Sequence, residues 1–277
     1  MCFINGPKMI FAFSILLLIF GGDLMAIYLE TNALRKLTDY NCNQPVVTSI
    51  FSIFELLSGV KDQNDYHIRR QCLQRVNKQN MEIRIPMIDK LLGVPDYNKY
   101  AAEMIMDIYG YVLKTEAFSN FQLVKLKVGR NDGSIDYISA NDWLKNWDEK
   151  ITEITKKSGS LFSDEDKSAI RKIYNDEKEA GLAKHFIEQI FNPGIIGDSS
   201  YAYKLFMTAQ YVVFTLAWLN GNTQNKNNAS DLLHLLYIEQ DDKFISNDKI
   251  YQTIKNACSS FSFIPLDNQK KLSELIQ

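Results

Sequence analysis

Four carboxylates in this sequence, Glu30, Glu55, Asp231 and Asp248, stand where side chains of that type can do chemistry. Glu30 ends the apolar run "AIYLE" and is followed at once by Thr31-Asn32, a turn into a helix. Glu55 lies within "FSIFELLSGV", Asp231 opens "DLLHLLYIEQ", and Asp248 closes "KFISND" before a further helical stretch. Singly, each has an ordinary explanation: a solvated loop residue, a water-facing position on an apolar helix, or an acid favoured at a helix start by the dipole. Jointly, they sit at strand ends and helix starts, positions that converge on the ligand-binding edge of an open parallel sheet. Gathered there, they would repel one another and raise each other's pKa. A divalent cation removes that penalty, and Mg2+ or Mn2+ suits carboxylate and water oxygens. The chemistry such a site serves is phosphodiester hydrolysis, in which metals activate water and steady the leaving oxygen.

The elements that must hold these acids follow from periodicity. "AIYLE" reads as a strand, "TNALRKLTDY" as one or two helical turns, "QPVVTSI" as a second strand, and "FSIFELLSGV" as a helix stopped by Gly59. Asn64 to Gln79 reads as an amphipathic helix with Ile68, Cys72 and Val76 inward and Arg69, Arg70, Arg75 and Lys78 outward, and "IRIPMI" ends that run. Such alternation of strand and helix favours a parallel sheet. Residues 91–204 are largely charged and helix-like, with a hairpin expected around Asp132-Gly133. "SDEDKSAI" lacks the spaced ligands of a calcium loop and reads as a helix start. Tyr201 to Leu219 carries Lys204 and Gln210 and reads as a buried core helix, not a membrane span. A helix from Asp231, a strand to Asp248, the helix "KIYQTIKNA" and a last strand in "FSFIPL" complete the chain. The expected fold is α/β: an open parallel-sheet core in two parts, 25–90 and 205–277, with a mostly helical insertion at 91–204 packed beside it.

A net charge of -2 over 277 residues argues against broad coating of a polyanion, so any nucleic-acid contact must come from local basic patches. The Arg69, Arg70, Arg75, Lys78 run reads as a solvated helix face and also as a candidate phosphate track. Lys36, Lys61 and Lys249 lie nearer the expected acidic edge. Cys2, Cys42, Cys72 and Cys258 form no C-x-x-C pair and read as reduced thiols of a cytoplasmic protein. In that compartment the sequon at Asn228 has no meaning. The apolar stretch in residues 1–24 has three readings: an over-long gene start with Met25 as the true first residue, a signal or anchor, or a folded segment. Membrane association follows only if that segment is retained. His234, one helical turn after Asp231, reads as a packing histidine, and His67 and His185 have no metal-ligand company. No P-loop, dinucleotide fingerprint or Ser-His-Asp pattern occurs.

"IYLETNAL", "VTSIFSIFELLSG", "ASDLLHLLYIEQDDKFISNDK" and "FSFIPL", in that order, resemble the PIN domain, a metal-dependent nuclease fold. The resemblance covers about 25–90 and 205–270. It implies a ribonuclease using Mg2+ or Mn2+, with Glu30, Glu55, Asp231 and Asp248 as metal ligands. Thr31, Asn32 and Ser246 would orient ligands or water, with Asn227 and Asn228 helping to shape the site. It also implies an RNA substrate and leaves room for a protein partner or antitoxin. Two features depart from the family. The first acid is a glutamate, not the usual aspartate; the extra methylene adds about 1.5 Å of reach, against a catalytic tolerance of about 0.5 Å. The insertion makes the chain much longer than the family's toxins. Glu30 therefore keeps a second expectation in play, a catalytically weak PIN-fold protein that binds RNA or a protein partner.

Overall fold

Short runs of apolar, β-branched and aromatic residues pair into one parallel sheet. The computed structural model describes residues 25–37, 44–85, 101–129, 135–156, 164–190, 201–219 and 230–266. The apolar segment 1–24, the hairpin tip at Asp132-Gly133, the loop with Asn227 and Asn228, and Cys2 and Cys42 lie outside these residues. Strands β1 (Ile27–Leu29), β2 (Val46–Ser49) and β3 (Glu82–Arg84) take one half of the sheet; β4 (Lys125–Gly129) and β5 (Ile135–Ser139) form a separate antiparallel hairpin. β6 (Lys243–Ser246) and β7 (Phe263–Pro265) complete the main sheet, in the order β3-β2-β1-β6-β7. Ile27 lies opposite both Val46 and Lys243, and every pairing in this sheet is parallel. The chain thus winds outward from β1 on one side and returns to its other flank with β6. The direction of winding reverses between β1 and β6, the place where open α/β sheets leave a crevice beyond their carboxyl ends. β1 and β2 are buried at every position, as expected of strands covered on both faces.

Short helices start directly from the strand ends. α1 (Thr31–Arg35) follows β1, and α2 (Ile50–Leu57) follows β2 with Ser49 as its cap, accepting from the Ser52 amide at 3.2 Å. Gly59, at φ +64°, turns the chain out of α2 as the sequence suggested. α3 (Gln63–Lys78) begins at Asp62, which accepts from the Asp65 amide at 2.9 Å. It ends at Asn80, with φ 48° and the Met81 amide donating to the Val76 carbonyl at 3.1 Å.

The inner stripe of α3 differs from the expected one. Tyr66, Cys72, Leu73 and Val76 are buried, while Ile68 is 47% exposed. The aromatic decides the phase: Tyr66 stacks on Phe121 and donates its hydroxyl to the Thr115 carbonyl at 2.9 Å. A large ring with a satisfied hydroxyl outweighs one isoleucine.

Helices of the insertion pack into the core of the sheet, and a second, smaller cluster forms beside it. α4 (Ala101–Lys114), α5 (Phe118–Gln122) and α6 (Ala140–Lys156) place Ile105, Ile108, Val112, Phe121, Trp143 and Trp147 in one continuous cluster with β1, β2 and β6. α7 (Asp164–Ile190) is interrupted at Lys178, whose backbone is non-helical at φ 56°. It packs on α8 (Tyr201–Leu219) through Ile170, Leu182, Ala183 and Val212. α8 also turns Leu205, Phe206 and Ala209 into the main core. Among the described residues, no helix is long and apolar enough to cross a membrane. The segment after Asp231, expected as an α-helix, is instead a tight 3₁₀ helix, Leu232–Tyr237, buried throughout. α9 (Lys249–Ala257) follows β6.

Candidate active site

The four sequence-nominated acids arrive at the same sheet edge from four elements. Glu30 follows β1, Asp248 follows Ser246 at the end of β6, Glu55 sits in the second turn of α2, and Asp231 opens the 3₁₀ helix. They influence one another electrostatically: Glu55 acts on Glu30, while Asp248 and Glu55 act on Asp231. The small polar residues named beside them lie in the same network. Thr31 donates its hydroxyl to Glu55 Oε2 in a short bond. The backbone amide of Asn32 donates to Glu30 at 2.7 Å. Ser246 hydrogen-bonds Glu30, and its Oγ accepts from the Asp248 amide at 2.9 Å.

Glu30 is both a cap and a member of the crevice. Its Oε2 accepts from Asn32 N and its Oε1 from Ala33 N at 3.2 Å, closing the first turn of α1. At 3% exposure it is nearly dry. Burial raises its pKa most; the charge of His234 and the Asn32 amide pull it back, and Glu55 pushes it up again, leaving it at about 6. Asp248 caps α9, accepting from the Ile250 amide at 3.0 Å. Asp231, by contrast, makes no capping bond through its side chain. Its pKa is raised to about 8, first by burial, then by the charge of Asp248, with a carboxyl–carboxyl hydrogen bond to Asp248 adding to the rise. Its backbone is fixed from α9, where the Tyr251 hydroxyl donates to the Asp231 carbonyl.

His234 is the site residue that periodicity alone assigns to packing. It is buried, and its Nε2 lies 3.0 Å from Glu55 Oε2 while Nδ1 lies 3.1 Å from the Tyr28 hydroxyl. Burial would push the imidazole toward its neutral form, but the charge and hydrogen bond of Glu55, with the charges of Glu30 and Asp231, hold its pKa above the ordinary value. The doubly protonated ring satisfies both contacts: Nε2–H donates to Glu55 and Nδ1–H to Tyr28. Tyr28 in turn donates to Ser49 Oγ at 2.8 Å, and burial holds its phenol well above its usual range, so it remains a donor. This chain runs from the cap of α2 to the carboxylate of Glu55. The signal in the sequence was the Asp231-x-x-His234 spacing, which places both side chains on one side of a single helical turn.

The basic residues separate into two groups. Arg69 donates Nη1 to the carbonyls of Glu55 and Ser58 at 2.8 and 2.7 Å and Nε to Asp65 at 2.9 Å. Arg70 donates to the Val112 and Leu113 carbonyls at the end of α4. Instead of lying on a solvated face, these two guanidinium groups close the open carbonyl ends of neighbouring helices, and Arg69 fixes the backbone that carries Glu55. Lys36, at the end of α1, and Lys249, beside Asp248, are exposed near the acidic edge. Lys61 is exposed beyond the far end of α2, where its amide donates to Asp65.

Among the described residues, no three His, Cys, Asp or Glu side chains are grouped as a ready-made metal site. The crevice acids are instead turned onto internal donors: helix amides for Glu30 and Asp248, Thr31 and His234 for Glu55. Both bonds to Glu55 fall on Oε2, so neither engages Oε1. No family model, no curated protein and no solved structure matches this chain.

Proposed function

We propose that the chain is a PIN-like ribonuclease that hydrolyses RNA phosphodiester bonds with Mg2+ or Mn2+ held by Glu30, Glu55, Asp231 and Asp248. The observation that carries this reading is the arrival of four carboxylates at the reversal of an open parallel sheet, with Glu55 acting on Glu30 and Asp231, Asp248 acting on Asp231, and Glu30 and Asp231 raised to about 6 and about 8. Hard carboxylate oxygens with no sulfur among them suit these two cations. A bound ion would polarise the scissile phosphate and supply hydroxide at neutral pH. The chain's own part is positional. His234 and Thr31 orient Glu55, the α1 amides and Ser246 orient Glu30, and Tyr251 anchors the backbone of Asp231. Asp231 holds a proton at neutral pH when no cation is present, and loses it when one binds. Exposed Lys36 and Lys249 offer phosphate contacts at the rim.

The rival reading is a PIN-fold protein that binds RNA or a protein partner without efficient cleavage. It is favoured by Glu30 engaging both oxygens in its helix cap. Cleavage of single-stranded RNA in Mg2+, in Mn2+ and in chelator, measured for the wild type, Glu30→Gln and Glu30→Asp at equal folded concentration, separates the two. The nuclease reading expects metal-dependent cleavage, lost in Glu30→Gln and retained or raised in Glu30→Asp. If Glu30 only caps α1, Gln costs at most about 1 kcal/mol of stability and leaves the rate alone. A wild type that cuts no RNA in either metal overturns the nuclease reading.

A further inference from the structure

The β4–β5 hairpin presents two different faces. Leu126 is buried in the main core and Ile138 packs against it, so the inner face is anchored. The outer face carries the alternate residues: Lys127 lies directly opposite Tyr137, Lys125 opposite Ser139, and Ile135 opposite Gly129. Lys125 and Lys127 are exposed, and Ile135 and Tyr137 remain 54% and 52% exposed. A cross-strand pair of this kind sets the Lys127 and Tyr137 Cβ atoms about 5 Å apart. Lys125 and Lys127 stand about 7 Å apart along the strand, comparable to the step between neighbouring phosphates of an extended single strand. The chain as a whole carries a charge of -2, so this positive face is a local feature and not a sample of a basic surface.

We infer that this outer face is a docking platform for single-stranded RNA, with a base stacked on Tyr137 and backbone phosphates on Lys125 and Lys127. The inference rests on the ribonuclease reading for its choice of polyanion. Charge complementarity supplies the attraction, and the exposed ring supplies a sequence-tolerant contact that an unstacked base can use and a duplex cannot. An acidic protein segment would satisfy the lysines and leave the ring without a planar partner, so RNA uses more of the surface.

The test is fluorescence anisotropy with a short labelled single-stranded RNA in chelator, so that binding is read without cleavage. Wild type is compared with Tyr137→Ala, Tyr137→Phe and Lys125→Ala/Lys127→Ala. Tyr137→Ala is expected to weaken binding about tenfold and Tyr137→Phe to retain it. The double lysine variant is expected to weaken binding and to lower the slope of log affinity against log salt by about 1.4, for two lost phosphate contacts. Polyglutamate of matched charge should displace the RNA poorly. Unchanged affinity in Tyr137→Ala and in the lysine variant overturns the inference. So does displacement by polyglutamate as effective as by unlabelled RNA, which would assign the face to an acidic protein partner. The two readings fail separately. Metal-dependent cleavage with wild-type binding in every hairpin variant leaves the nuclease and removes the platform. Hairpin-dependent binding without cleavage in any metal leaves the platform and removes the nuclease.

Discussion

Asp242 and Glu30 are equally buried, each only 3% exposed, and each adjoins the central strand β1 from an opposite end. Asp242 precedes β6 and accepts from both terminal guanidinium nitrogens of Arg84, Nη2 lying 3.2 Å from Oδ1, with Glu239 a further partner of the same arginine at 3.5 Å. Burial alone would lower the pKa of Arg84; the hydrogen bond and charge of Asp242 outweigh it and raise it. Among the described residues, no guanidinium fork of this kind relieves Glu30 and Asp231. The positive charge that acts on both is His234, one imidazolium shared with Glu55. A sheet that neutralises one buried carboxylate with a fork of guanidinium bonds leaves two acids on its other edge, Glu30 and Asp231, under-compensated. Structural burial explains the first arrangement. The second is the imbalance that the proposed cation would offset.

The largest effect should come from breaking the compensated end. Arg84→Met leaves Asp242 buried without its partner and should cost about 3–5 kcal/mol of stability by urea denaturation. Adding Asp242→Asn should recover part of that loss. A cost below about 1 kcal/mol would show that the pair is not the compensated counterpart proposed here. At the other end, His234→Leu removes the shared imidazolium and leaves the Tyr28 hydroxyl and Glu55 without it. A loss of about 2–3 kcal/mol is expected without metal, and less in His234→Gln, which keeps a donor. Equal losses in the two variants would argue that His234 contributes only volume.

A smaller effect, opposite in sign, is expected from removing crevice charge. The folded carboxyl of Asp231 titrates near 8 against an ordinary 3.8, and Glu30 near 6 against 4.5, so the folded state binds more protons than the unfolded state in between. Their contribution to stability is full below about pH 4 and is lost as pH rises through about 6 and then about 8. Thermal unfolding without metal should therefore show stability falling across that range, with Mg2+ restoring it most at the alkaline end. Asp231→Asn should flatten the profile and raise metal-free stability at pH 8 by about 1–2 kcal/mol. A metal-free profile that rises from pH 5 to 8 through these groups would contradict the electrostatic account. Smallest of all, Lys36→Ala and Lys249→Ala should leave stability within about 0.5 kcal/mol while raising the KM for RNA several-fold.

Much of this arrangement was legible from the residues. Strand ends at Glu30 and near Asp248, and the turns following them, were readable because apolar runs stop there and helical spacing begins. The parallel α/β sheet followed from the same alternation. Contacts between elements distant in sequence were not legible. Glu55 and His234 are 179 positions apart, and nothing local marks their bond. Arg69 and Arg70 look like any basic helix face until the carbonyl ends of α2 and α4 are placed beside them. The burial of Tyr66 in preference to Ile68 depended on aromatic partners from α5. The 3₁₀ path of "LLHLLY" escapes a periodicity argument, because six apolar or aromatic-like residues fit any tight helix buried all round.

Calorimetric titration of Mn2+ at pH 7 in two buffers of different ionisation enthalpy, for wild type and Asp231→Asn, decides whether the crevice acids await a divalent cation. With Asp231 near pKa 8, wild type should bind the ion with release of about one proton, diminishing toward zero above pH 9. Asp231→Asn should bind it more weakly, without that proton. No heat of binding in the wild type, or an identical proton count in the variant, would contradict it.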